Sequence, residues 1–127
     1  MFFSGGNTSV YILDMDRSVQ FYVEVLGLRL ITRIEDEWAE LDAGDGMIIG
    51  LHPAKPHATP SPGTPGALNI ELRVIGSLDL VVETLKSRGV KFIGSILNYE
   101  HVRLASFTDP DGNVLLLAQT LPQIEPI

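Results

Sequence analysis

His52 ends the stretch "IIGLHP", and its imidazole is the side chain here best suited to proton transfer or metal binding near neutral pH. Strand alternation brings two carboxylates towards the same surface, Glu71 in "NIELRV" and Glu40 in "WAELD". Either would serve as a general base if burial tuned it, and Glu71, Glu40 and His52 are therefore the candidate catalytic residues. A divalent ion held by His52 with Glu71 or Glu40 is the unconventional metal alternative. Each group also has a plainer role. His-Pro can simply end a strand with the ring hydrogen-bonded at a rim, and Glu71 and Arg73 can pair with each other or with Glu40 to satisfy burial. Functionally, Arg73 or Arg103 would clamp a ligand carboxylate. Trp38 would stack on a flat ligand or fill core, and Tyr11 would donate a hydrogen bond or fill an interface.

Other chemistries lack their residues. With no cysteine there is no disulfide framework, thiolate metal site or cysteine nucleophile. The net charge of −7, without any Lys/Arg-rich stretch, argues against nucleic acid or an anionic membrane as partner. "DPDG" lacks the later liganding positions of a calcium loop and reads as a turn. "GGN" has no phosphate-cradle spacing, and no nucleophile elbow is present. The start, "MFFSGGNTSV", does not read as a signal peptide, and no apolar run approaches the roughly 20 residues that span a bilayer. A cytoplasmic protein is expected. At 127 residues and 45% hydrophobic, the chain has material for one domain with a real core.

The elements that must position these residues come as a repeat. In "NTSVYILDMDRSVQFYVEVLGLRL" an alternating strand, with Thr8, Val10 and Ile12 on one face and Asn7, Ser9 and Tyr11 on the other, precedes helical spacing at Val19, Tyr22, Val23 and Leu26. Asp14 or Asp16 can cap that helix and Gly27 can close it. "NIELRVIGSLDLVVETLKSRGVKF" repeats the plan through Ile70, Leu72 and Val74, then Leu78, Val81, Val82 and Leu85, with Ser77 as cap and Gly89 as stop. Asn7 to Asn69 and Gly27 to Gly89 are both separated by 62 positions. "DGMIIGL" and "DGNVLLL" then match as closing strands behind Asp-Gly turns. Each half reads as strand–helix–three strands, module 1 over residues 5–52 and module 2 over residues 67–120. Residues 53–66, with five of the eight prolines, read as an extended connector containing a solvated His57.

"LDMDRSVQFYVEVLGL", the "GLHP" ending of the first half and "FTDPDGNVLLL" resemble the glyoxalase/bleomycin-resistance/extradiol-dioxygenase family, the vicinal oxygen chelate fold, from about Asn7 to Ala118. The resemblance implies an α+β fold of two βαβββ modules, whose curved mixed sheets enclose a cavity, in chains that commonly pair as homodimers. It also implies, in metal-dependent members, one His, Glu or Gln ligand from the first and closing strand of each module. Those positions here are Asn7, Gly50, Asn69 and Leu116. Gly50 and Leu116 have no donor atom, and a neutral Asn amide binds a hard cation weakly. No metal or other cofactor is expected.

Alternation adds Ser9, Tyr11, Glu71, Arg73, Ile48, His52, Val114 and Ala118 to that cavity, with Trp38, Glu40 and Arg103 from the middle strands. The mixture suits a partly aromatic or amphipathic small molecule, bound rather than transformed. The alternatives are a glyoxalase-type lyase or isomerase with an unconventional or absent metal site, and a regulatory module without a small-molecule ligand.

Overall fold

Val10 and Ile12 are buried while Ser9 and Tyr11 between and beside them are exposed, so the first strand has one face in the core and one outside. The structure is a computed structural model describing residues 2, 4–54 and 61–122. Module 1 comprises β1 (Thr8–Ile12), α1 (Met15–Val19), β2 (Arg29–Ile34), β3 (Trp38–Asp42) and β4 (Ile48–Pro53). Module 2 comprises β5 (Ile70–Arg73), α2 (Leu78–Ser87), β6 (Lys91–Asn98), β7 (Val102–Thr108) and β8 (Val114–Thr120). The expected α+β, paired βαβββ plan holds. Each module is a four-stranded mixed sheet, in the orders β1-β4-β3-β2 and β5-β8-β7-β6. The first strand of each runs parallel to the closing strand, which requires the helical crossover between them.

Local signals explain the ends of the elements. Asp14 caps α1 by accepting from the Arg17 N–H at 3.0 Å, and Ser77 caps α2 by accepting from the Leu80 N–H. Gly27 and Gly89 end the two helical segments at positive φ. The Asp-Gly turns differ. Asp45 and Gly46 both have positive φ, as a tight β3–β4 hairpin requires, whereas before β8 only Gly112 does. One expectation changes: the first helix leaves α geometry at Gln20 and continues as a π-helix through Val25. The β-branched Val19, Val23 and Val25 weaken α propensity there, and the wider turn carries Tyr22 fully into the core.

The helix-facing residues of both sheets form one core, including Val10, Leu41, Ile49, Leu51, Phe107 and Leu115 with Tyr22 and Leu78. The turn before β8 fastens the modules together. Buried Asp109 accepts from the Tyr22 hydroxyl at 2.8 Å, and Asp111 accepts from Arg17 at 2.6 Å and from the Leu13 N–H at 3.1 Å. Asn113 donates to the Tyr11 carbonyl. Burial, then Asp109, hold the Tyr22 phenol well above its usual proton affinity, so it stays a donor. The described end of the 53–66 connector is turned rather than extended, with Thr64 donating to the Ser61 carbonyl. Pro53 belongs to β4, and His57 lies outside the described residues. Among the described residues no helix is long and apolar enough to cross a membrane.

Candidate functional site

The face of module 1 opposite its helix is built from alternate residues of β1, β3 and β4. Pairing of Ser9 with Gly50, Tyr11 with His52 and Glu40 with Gly50 sets them in one surface. Trp38 lies diagonally across this surface with its six-membered ring against Gly50. A Cβ at position 50 would collide with Trp38 Cη2 and stand 2.7 Å from Cζ2 and 3.0 Å from Cζ3. Only glycine leaves room for the ring. Tyr11 and Trp38 both meet His52 edge-on, with ring centroids 5.6 and 6.0 Å apart.

The polar atoms of this aromatic group are oriented by specific bonds. Trp38 Nε1–H donates to Glu40 Oε1 at 3.1 Å, which fixes the indole edge and one carboxylate oxygen. His52 Nδ1 lies 2.8 Å from the Pro53 carbonyl. A carbonyl only accepts, so Nδ1 carries the hydrogen, and Nε2 is the nitrogen left to a ligand, an acceptor whenever the ring is neutral. This is the strand-ending role open to His52 from sequence, and it leaves one nitrogen available. Ser9 donates to Asn7 Oδ1, and Asn7 precedes β1 as Asn69 precedes β5.

The corresponding face of module 2 carries no aromatic group among the described residues: Leu104, Leu116 and Ala118 lie on it with Ser106, Glu71 and Arg73. Glu71 pairs with Leu116, Arg73 with Ala118, and Leu116 with Ser106. Glu71 and Arg73 are exposed, and among the described residues neither makes an ion pair, so the expected pairing with each other or with Glu40 does not form. The burial that a tuned Glu71 base requires is missing as well. No hydrogen bond or ring contact among the described residues joins this set to the Trp38 group.

Arg103 does not face the cavity. It pairs with Gln119 and shares the helix-side face with Ala105 and Phe107, where it donates to Asp79 Oδ2 at 2.8 Å and to Asn98 at 2.7 Å. Its guanidinium holds the Asp79 carboxyl below the usual carboxylate range. The expected face is off by one residue because β7 starts at Val102 and its register is set by β8, which the local pattern "HVRLASF" does not encode. Conversely, sequence reasoning passed over Thr32, which pairs with Glu40 on the site face, because a bulge in β2 interrupts the alternation. It also took "DPDGN" as a turn only. Asn113, standing where the first half has Met47, was the signal for the contacts between modules.

The residues do not fit the family's metal. Gly50 is covered by the indole, Leu116 has no donor, and Asn7 and Asn69 lie outside their strands. No group of three or more His, Asp or Glu able to hold an ion exists among the described residues. A cleft of about 510 Å³ between the end of the first helix, β5 and α2 is lined by Leu26, Leu72 and Val81 among others, and its lining includes neither Trp38 nor His52.

Comparison with known proteins agrees with this architecture. The model of the Glyoxalase/Bleomycin resistance protein/Dioxygenase superfamily matches residues 6–117. TnmS3, an antibiotic binding protein from Streptomyces sp. CB03234, is 31% identical, covering 95% of this chain and 99% of its own, with a TM-score of 0.78. A glyoxalase/bleomycin resistance protein from the same organism is 30% identical over 91% of this chain and 100% of its own, with a TM-score of 0.72. A glyoxalase/bleomycin resistance protein/dioxygenase from Nocardioides, 22% identical over 99% of this chain and 90% of its own, shares the fold with a TM-score of 0.71. No curated protein sequence matches the chain.

Proposed function

The chain belongs to the Glyoxalase/Bleomycin resistance protein/Dioxygenase superfamily, and from that premise we propose that it binds and sequesters a small, partly aromatic molecule without a metal ion. The observation that carries this reading is the indole of Trp38 seated on Gly50, where the family resemblance implies a metal ligand. A flat π-surface, next to His52 and through it to Tyr11, suits stacking against a planar ligand. Glu40, Ser9, Asn7 and the module 2 residues Asn69, Glu71, Arg73 and Leu116 complete the proposed binding surface. The antibiotic-binding role of TnmS3, a relative 31% identical over nearly the whole chain, supports binding rather than turnover.

We further propose that the chain works as a homodimer in which sheet faces of two protomers close the cavity. Tyr11, Ile34, Ile93 and Leu97 are 42%, 55%, 51% and 50% exposed on these faces, an apolar surface that a partner would cover.

Trp38 is the only tryptophan, so its emission reports the site directly. Planar aromatic compounds are expected to shift that emission and to raise Tm, a concentration of a hundred times Kd adding about 2.7 kcal/mol of stability. Both effects should survive EDTA. Binding that chelators abolish would overturn the reading.

A further inference from the structure

Resting on that reading, we infer that the site selects planar aromatic ligands that carry hydrogen-bond donors or positive charge beside the ring, and rejects aromatic carboxylates. The argument is an inventory of polar atoms on the face of module 1. The indole N–H of Trp38 is already given to Glu40 Oε1. The other Glu40 oxygen accepts from nothing among the described residues, and a ligand donor can take the place of water there. With its Nδ1–H held by the Pro53 carbonyl, a neutral His52 offers the lone pair of Nε2. Two acceptors therefore flank one aromatic platform.

Three arginines that could receive an anionic ligand are engaged elsewhere. Arg29, at the far end of the same sheet, is paired with Asp42 at 2.8 Å. Arg33 is paired with Asp16 and Asp36, opposite buried Ala39 on the helix side. Arg103 is held by Asp79 behind the second sheet. On the corresponding face of module 2, Glu71 and Arg73, unpaired among the described residues, contribute one charge of each sign. The combined faces thus keep the charge of Glu40 in excess, within a chain of net charge −7. On the face of module 1 a carboxylate ligand would meet Glu40 with no unpaired cation among the described residues of that face to receive it, whereas an ammonium would meet Glu40 together with the aromatic group.

Three ligands on one ring system test this: 2-naphthylmethylamine, 2-naphthol and 2-naphthoate, titrated into the wild-type protein by calorimetry at low and moderate salt. The amine and the naphthol are expected to bind at least about tenfold more tightly than the naphthoate, the amine's advantage shrinking with salt. Glu40→Gln should bring amine and naphthoate to within about threefold of each other while naphthol affinity changes least, since the amide still accepts. Equal affinities for all three in the wild-type protein would overturn the charge selection and leave the binding reading standing. If none binds and Trp38 emission stays unmoved, the binding reading itself falls, and this inference with it. The wild-type series needs no variant, so a poorly folded Glu40→Gln would not remove the test.

Discussion

The two modules share one backbone plan and put opposite surfaces on it. At the position after the buried isoleucine or leucine of the closing strand, module 1 has Gly50 and module 2 has Leu116. Glycine lets Trp38 collapse onto the sheet and organise Tyr11, His52 and Glu40 around it. Leucine fills its own space and leaves Glu71 and Arg73 exposed at the edge strand. Gly50 against Leu116 is joined by Trp38 against Leu104, His52 against Ala118 and Tyr11 against Arg73, and together these separate a built aromatic site from a largely aliphatic wall. The helices differ in the same sense. α2 is regular through Ser87, while the first helix turns π after Val19 and buries Tyr22 against Asp109 of the other module.

The sharpest way to break this comparison is to put the same carboxylate at both positions. Gly50→Glu must expel the indole, so it is expected to cost about 3 kcal/mol in urea unfolding and to move Trp38 emission to that of a solvated indole. Leu116→Glu, half-buried and beside Glu71, should cost only about 1 kcal/mol and leave the emission in place. Equal effects on emission would mean that Trp38 is not seated on Gly50.

A smaller effect is expected at the buried phenol. Tyr22→Phe removes one donor from Asp109, which keeps the Asn113 side chain and two backbone N–H groups, and should cost about 1–3 kcal/mol. Thr84, the matching position of α2, donates to its own helix at Leu80, and Thr84→Ala should stay within about 0.5 kcal/mol. Tyr22 also sets an alkaline limit. Its folded proton affinity is raised above the ordinary 10.0, so the unfolded phenol ionises first as pH rises. The contribution is complete below pH 10.0, declines above it, and is lost as pH passes the folded value. Stability measured from pH 9 to 11 should fall more steeply in the wild type than in Tyr22→Phe.

The smallest expected difference lies in the caps. Asp14→Ala should cost about 1 kcal/mol, whereas Ser77→Ala should cost about 0.5, because the Ser77 bond is longer at 3.4 Å against 3.0 Å. Unfolding midpoints of the two variants would show whether the first helix, short and partly π, leans more on its cap than α2 does.

Much of the positioning was legible in the chain. Alternation assigned the faces of β1 and β5, the caps were visible as Asp14 or Asp16 and Ser77, of which the fold uses Asp14 and Ser77, and the Gly27/Gly89 spacing announced the repeat. β7 was misread because a strand without a clean alternating pattern takes its face from its neighbour, and β8 places Arg103 opposite Gln119. The π turn was hidden because valine and tyrosine at helical spacing look alike in α and π geometry.

What the amino-acid order determined by itself was local: which residues bend, cap, alternate and stop, and that Gly50 and Leu116 carry no donor atom. Such properties depend on a few neighbours and on side-chain chemistry alone. Tertiary structure decided the rest. That an indole from β3 would use the empty space above a glycine in β4, that an arginine would turn to a helix instead of a cavity, and that Asp109 and Asn113 would fasten one module to the other are all contacts between distant segments. Their geometry follows from strand register and packing, which no local pattern contains.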